Sequence, residues 1–263
     1  MPRPVMEAPM HLSSLWGLTR SLLIYYNPWR VYQMRRFYRG LVSPGDLVFD
    51  VGAHVGSRAR ALRAAGARVV AFEPQPLFAR FLAATLPRDI VLEQAALGAQ
   101  EAEAEMVVSS RHPTVSSLRG SLAQEAAAMP GFEHVRWDRR ARVQVTSLDA
   151  AIARHGRPVL VKIDVEGFEP EVLSGLSAPV ALVSVEYLPS LPEVGLKSII
   201  MLSALGHYEF NAVAGEDGRF LWPDWRSEAE IRAWLAALPP EGGSGDIYAR
   251  LVEGTAERRI AAT

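Results

Sequence analysis

Carboxylates stand at the ends of apolar runs along this chain, and two of them bracket a glycine turn. In LVFDVGAHVGSRARAL, residues 47–62, an apolar run reaches Asp50, Gly52 and Gly56 follow, and a helix-like pattern begins. The spacing is D-x-G-x-x-x-G. A dinucleotide turn needs G-x-G-x-x-G, whose second glycine lets the backbone approach a pyrophosphate. Here His54 and Ser57 fall where the second and third glycines would stand. A bulky side chain at the second position blocks that approach. The acidic residue before the turn suits a cationic or zwitterionic ligand better than a diphosphate. Glu73 stands 23 residues after Asp50, at the end of the next apolar run. A carboxylate there can accept hydrogen bonds from both hydroxyls of a ribose. A cation joined to a ribose without a diphosphate describes S-adenosylmethionine. The competing reading is a sheet whose Gly52 and Gly56 serve turn geometry alone.

A second cluster lies in VLVKIDVEGFEPEVLSG, residues 159–175. Asp164, Glu166 and Glu169 crowd just past an apolar run, and Gly167 bends the chain between them. Acids crowded in a partly dry cleft have raised pKa values and can act as bases. Lys162, two residues before Asp164, shares its side of a strand and could hold the cluster ionised instead. Glu169 and Glu171 also favour a helix N-terminus, which explains them without chemistry. Glu186 ends the apolar run in VSVEYLP. Asp164 and Glu186 could bind substrate hydroxyls, or magnesium or calcium through oxygen ligands alone. The sequence carries no dedicated metal motif, and a divalent metal is not expected.

The histidines are His11, His54, His112, His134, His155 and His207. They form no H-E-x-x-H pair, and no G-x-S-x-G elbow suggests a hydrolase. His54 alone lies inside a candidate site. It either contacts the ligand or braces the loop.

These residues need a scaffold that brings strand ends together. DLVFDV reads as a buried strand and SRARALRAAG as the helix after it, closed by Gly66. ARVVAFEP is a second strand, Pro74 and Pro76 open a helix through LFARFLAATL, and DIVLEQAALG holds a third strand. Strand–helix alternation of this kind indicates a parallel sheet with crossover helices. The glycine turn then lies at the carboxyl end of a strand, where open α/β sheets bind ligands. EAEAEMVVSS reads as an extra strand. Residues 111–142 are polar, then helical, then irregular, a candidate lid holding His112 and His134. VQVTSLDAAIARHG pairs a strand with a helix capped by Ser147 or Thr146. The run PVLVKIDVEG is the fourth core strand, followed by the helix EPEVLSGL and the strand PVALVSVEYLP. LPEVGLKSIIMLSALG is a helix, and HYEFNAVAGEDGRFLWP reads as a hairpin turning at residues 216–218. SEAEIRAWLAALP is a helix with Ser227 at its cap and Glu230 three residues on. GDIYARLVE supplies a final strand.

The chain has 263 residues, a net charge of -1 and no cysteine. That length suits one large domain with additions, and the charge balance gives no general pull toward nucleic acid. Without cysteine there is neither disulfide nor thiolate metal site. The opening residues do not read as a secretory signal, and a cytoplasmic location is the expectation.

VFDVGAHVG, AFEP, QAALG, TSLD, VKIDVEGFEPEVLSG and VSVEYLP, in this order, resemble the FkbM family of S-adenosylmethionine-dependent methyltransferases. The resemblance runs from about residue 42 to about residue 250 and is strong for family, poor for substrate. It implies an α/β fold: the class I, Rossmann-like methyltransferase sheet, seven-stranded and mostly parallel, with flanking helices. By similarity Asp50, Gly52, Ala53, His54 and Gly56 match the cofactor loop, and Glu73 matches the ribose carboxylate. Gln94, Ala95 and Ala96 match the segment bordering the adenine, and Asp164 the position near the transferred methyl. The family's loop often has Asn where this chain has His54. The implied acceptor is a small hydroxylated molecule such as a sugar, glycan or polyketide-type metabolite. The implied catalytic group is Asp164, with His54, Glu166 and Glu186 behind it. Alternatives are N-methylation of a small amine and a binding domain without turnover.

Residues 1–41 form an amino-terminal extension before a methyltransferase domain at 42–253 and a tail at 254–263. Residues 1–40 carry six arginines and one glutamate, interleaved with Trp16, Tyr25, Tyr26, Trp29, Tyr32, Phe37 and Tyr38. Pro28 divides two helices there. Three readings compete: a helical cap on the sheet, a lid over the acceptor pocket, and a basic–aromatic surface at residues 12–40 that touches anionic membrane.

Overall fold

Residues 26–109 and 139–252, with Leu18, Thr19 and Leu22, are described by a computed structural model. The candidate lid's residues 111–138, with His112 and His134, fall outside the described residues, as does His11. Helix α1 (Pro28–Arg39) precedes β1 (Leu47–Val51). Then follow α2 (Ser57–Ala64), β2 (Arg68–Phe72), α3 (Pro76–Thr85) and β3 (Val91–Glu93). Strands β4 (Ala96–Leu97), β5 (Ala102–Val108) and β6 (Arg139–Thr146) come next. The chain continues through α4 (Leu148–His155), β7 (Leu160–Ile163), α5 (Glu169–Leu173), β8 (Leu182–Tyr187) and α6 (Pro192–Leu205). It then forms β9 (Tyr208–Ala214), α7 (Glu228–Ala236) and β10 (Gly245–Leu251).

The main sheet has seven strands in the order β3-β2-β1-β7-β8-β10-β9. All neighbours pair in parallel up to β8, and β10 runs antiparallel between β8 and β9. This is the expected seven-stranded, mostly parallel α/β sheet with flanking helices. The strand order reverses between β1 and β7, so their carboxyl ends open a crevice at the switch point.

Local chemistry places the helices. Asn27 caps α1 by accepting the Trp29 amide, with Pro28 at the first helical position. Ser147 caps α4, and Ser227 with Glu230 closes a capping box on α7. Every residue of β1 and β7 is buried, as strands covered on both faces require. Leu47, Phe49 and Val51 pack into one core, with Phe72, Ile163 and Val185. Val48 faces the other core, where Met34 and Tyr38 of α1 and Leu62 of α2 lie.

DIVLEQAALG holds the expected third strand, β3, in the main sheet, and its end, β4, joins β5 and β6 in a separate three-stranded sheet. Two sequence expectations need correction. Strand β6 starts at Arg139, so the end of the candidate lid is strand, paired antiparallel to β5. HYEFNAVAGEDGRFLWP does not fold as a two-stranded hairpin. The return leg meets β9 on the edge opposite β10, through Leu221, the Asn211 side chain at Trp222 and an isolated bridge between Phe210 and Arg226, without a continuous ladder.

Register aligns a buried polar row across the sheet. Asp50 pairs with Lys162, Lys162 with Ser184, Ser184 with Tyr248, and Tyr248 with Asn211. All five are buried. Lys162 is fully buried, and its Nζ lies 2.8 Å from Asp246 Oδ1 and 3.3 Å from Asp164 Oδ2. Burial opposes the ammonium's charge, but Asp164 and Asp246 raise its pKa above the usual lysine value. Removing one partner of such a group leaves uncompensated charge in the core. Lys162→Met should therefore destabilise the protein by about 3 kcal/mol in denaturant unfolding. Unfolding at the parent's midpoint would show that the ammonium is not needed there.

Candidate functional site

The turn after β1 is shaped by two close approaches. Gly52 has φ +84°, and a Cβ there would sit 1.9 Å from the carbonyl oxygen of Asp164. Only glycine allows the turns after β1 and β7 to meet in this way. His54 also lies in the left-handed region, at φ +50°. Asn, Asp and His are the side chains most often found there. This accounts for a histidine in the turn. Its amide donates to Glu73 Oε2 at 2.8 Å, and its ring meets Phe78 edge-on at 4.3 Å. Burial lowers the imidazole pKa to about 4, so the ring is neutral near pH 7.

Glu73, just past β2, is buried, and its Oε1 accepts the Gln75 amide at 2.8 Å. Burial raises its pKa to about 7, against the two backbone hydrogen bonds that favour the anion. Asp50 accepts from the Ala59 amide, in the first turn of α2, and burial raises its pKa to about 6 despite Arg58 and Lys162. Its Oδ2 has no hydrogen-bond partner among the described residues. Gln94 is exposed beyond β3, Ala95 is buried, and Ala96 opens β4.

Across the crevice, Asp164 lies just beyond β7. Burial pushes its carboxyl up, but Lys162 and Arg58, with hydrogen bonds from Lys162 and Glu186, hold it at about 2. Arg58 Nη1 is 3.4 Å from Asp164 Oδ2, and its Nη2 is 3.0 Å from Glu216 and 3.9 Å from Asp246. Glu186 is raised well above the usual range, by burial first and then by Asp164, Glu166 and Glu169. Its hydrogen bond with Asp164 helps hold that carboxyl low. Glu166, at φ +55°, is raised likewise, by burial and then by Asp164 and Glu169. One oxygen from each of Asp164, Glu166 and Glu186 lies within 4.8 Å of the others, close enough to share a cation.

Glu169 serves the turn itself. It is buried, and its Oε1 accepts the amides of Val165 and Gly167. Glu171 pairs at the surface with Lys197. His155 bonds to Glu93, and His207 precedes β9 at the opposite edge of the sheet. A groove of about 720 Å³ between α1 and residues 218–223 contains none of these carboxylates.

Sequence reading missed Arg58, Asp246 and Glu216. Each left a signal. Arg58 puts a cation in the first turn of a helix, against the dipole. Asp246 puts a carboxylate inside the apolar strand GDIYARL. Glu216 lies in the turn between its glycines, Gly215 and Gly218, and only the fold brings it to Arg58.

The residues fit S-adenosylmethionine. A buried carboxylate ending β2 suits ribose hydroxyls, and acids beside the switch point suit a sulfonium and an ammonium. The buried, unpartnered Oδ2 of Asp50 is a ready acceptor.

Among solved structures, the chain resembles a TehB-like SAM-dependent methyltransferase from Corynebacterium glutamicum. Identity is 10% over 91% of this chain and 98% of that one, with a TM-score of 0.48. Precorrin-6y C5,15-methyltransferase from Geobacter metallireducens aligns at 12% identity over 83% and 87%, TM-score 0.43. An O-methyltransferase from Bacillus cereus aligns at 11% identity over 94% of each chain, TM-score 0.41. No curated protein matches the chain at a significant level. The methyltransferase FkbM domain matches residues 50–238. That span holds Asp50, Glu73, Asp164 and Glu186 and most of the chain, and by it the chain belongs to the FkbM family of S-adenosylmethionine-dependent methyltransferases.

Proposed function

We propose that this methyltransferase acts on a hydroxyl of a small molecule, with Asp164 receiving the acceptor's hydrogen bond and its proton. The observation that carries this reading is the ionised Asp164 at the switch point, braced by Lys162, Arg58 and Glu186. In this reading Glu73 holds the ribose, while Asp50, Gly52, Ala53, His54 and Gly56 line the methionyl side. Gln94, Ala95 and Ala96 border the adenine. When bound, the cofactor supplies a methyl on a positively charged sulfur, open to direct displacement.

The chain's own task is alignment: the accepting oxygen must stand in line with the methyl and the leaving sulfur. A carboxylate with a pKa of about 2 is a weak base toward an intact alcohol. It is sufficient when the proton leaves late. As the new C–O bond forms, the oxygen's proton becomes far more acidic than any carboxylic acid. Asp164 would accept that proton as the acceptor oxygen takes up the methyl. The fixed charges of Lys162 and Arg58 keep Asp164 ionised and oriented throughout. Glu186 and Glu166, raised by burial and by the neighbouring acids, stand beside Asp164, where they can bond other oxygens of a hydroxylated acceptor.

Calorimetric titration should show binding of S-adenosylhomocysteine, and NAD much more weakly. Tighter binding of NAD would end the cofactor assignment. Glu73→Gln should weaken S-adenosylhomocysteine by about 1–3 kcal/mol, the scale of a lost charge-assisted hydrogen bond. The pH response has a definite sign. Glu73 is raised from 4.5 to about 7, so in the free protein its contribution to stability is complete below 4.5 and lost as pH rises through about 7. The ribose prefers the anion. The thermal shift produced by S-adenosylhomocysteine should therefore grow from about pH 6 to about pH 8, and Glu73→Gln should flatten this trend. A parent without the trend would remove Glu73 from the ribose.

Asp164→Asn should cut methyl transfer by about 10² to 10⁴ and leave cofactor affinity within a few fold. The assay is mass spectrometry over a panel of hydroxylated metabolites, with and without chelator. Near-normal turnover in the variant would take Asp164 out of the chemistry. Loss of parent activity in chelator, restored by magnesium, would assign the Asp164, Glu166 and Glu186 carboxylates to a metal instead.

A further inference from the structure

Helix α1 buries one face and leaves the other to solvent. Met34 and Tyr38 are buried against the sheet. At 100° per residue, Trp29, Tyr32, Arg35, Arg36 and Arg39 fall within about 120° on the outer side. Trp29 is 65% exposed and Tyr32 is 58% exposed, with stacked rings 5.9 Å apart. Arg35, Arg36 and Arg39 are exposed, and among the described residues none has a carboxylate partner.

We infer that this face of α1 docks the enzyme on an anionic lipid surface. Two observations favour a bilayer over other polyanions. The protein's net charge is -1, so the basic stripe is a local feature and not a general affinity. The aromatic pair shares the stripe with the arginines, and tryptophan and tyrosine belong at the headgroup level, one side apolar and one side wet. The helix dipole accounts for cations in the last turn of α1, but not for two stacked exposed rings in the first. With 12 residues α1 is too short to span a bilayer, and among the described residues no helix is long and apolar enough to cross one. The contact is therefore one of surface, with guanidinium groups on lipid phosphates and rings between headgroups.

The chain leading into α1 touches the site: Tyr26, three residues before Trp29, donates its hydroxyl to the Val55 carbonyl at 2.9 Å, inside the glycine turn. A docked helix would hold the crevice close to the lipid, whichever molecule accepts the methyl.

The test is sedimentation of the full chain with vesicles of phosphatidylcholine alone, or with about 30% phosphatidylserine, at about 0.1 and about 0.5 M salt. Binding should require the anionic lipid and fall with salt. Combined Arg35→Gln, Arg36→Gln and Arg39→Gln should lower partitioning about a hundredfold, at roughly tenfold or less per charge. Combined Trp29→Ser and Tyr32→Ser should weaken it with the charge intact. Both variants should keep the parent's thermal shift with S-adenosylhomocysteine, which shows that they fold. The proposal is overturned by absence of binding to either vesicle, or by a triple variant that binds as the parent does. Salt-sensitive binding to a nucleic-acid duplex without vesicle binding would also overturn it.

Discussion

An ammonium group sits in the middle of this sheet, out of reach of water, and its neutralisation organises the surrounding chain. Lys162 cannot remain charged alone in a low-dielectric interior. Asp246 from the antiparallel strand and Asp164 from the turn after β7 supply the counter-charge. Both then stand beside further acids at the same end of the sheet. Arg58 completes the set from the start of α2, in a place the helix dipole disfavours and these carboxylates favour. Burial works against its charge, but Glu216, Asp164 and Asp246 raise it well above the usual value. Two cations do not balance all the carboxylates gathered here. Burial and the neighbouring acids drive Glu166 and Glu186 up, while Lys162 and Arg58 drive Asp164 down. Like-charged neighbours separate into acid and anion in this way whenever they cannot both ionise.

The division has a chemical use. A sulfonium entering a crevice of fully ionised acids would be bound as tightly as its charge permits, before any chemistry. Binding that strong in the ground state does nothing for the transition state. In the proposed mechanism, the raised Glu166 and Glu186 moderate the field, and Asp164, held low by Lys162 and Arg58, needs no reorganisation to take up a proton.

Much of this could be read from residues in order, and the limits are physical. The strands β1, β2, β7 and β8 were legible because buried parallel strands are short apolar runs bounded by turns, and each ends in its carboxylate. Glu73 was legible because a carboxylate ending the second strand has few structural reasons to be there. Lys162 and Asp164 were legible as a pair from their period of two. Arg58 and Asp246 were not joined to that pair, because their meeting depends on β10 inserting between β8 and β9. Strand insertion is set by tertiary pairing and leaves no local pattern. The split of DIVLEQAALG between two sheets escaped notice for a similar reason: a strand that changes partners keeps the same apolar run.

His54 carries the clearest lesson about substitution. A ligand-facing imidazole and a loop-bracing one have the same letter in a sequence. The backbone separates them. A left-handed residue between two glycines must tolerate φ +50°, must present its amide to Glu73, and must place its side chain on Phe78. Asparagine meets the first two demands through its short polar side chain. Histidine meets all three, since its ring adds an aromatic contact inside the pocket. The imidazole is neutral there because burial has lowered its pKa. The position therefore acts through its amide, which no substitution except proline removes, and through the positive φ, which few residues accept. Exchange between asparagine and histidine leaves the hold on Glu73 unchanged, and the turn can keep its ligand geometry while its side chain varies.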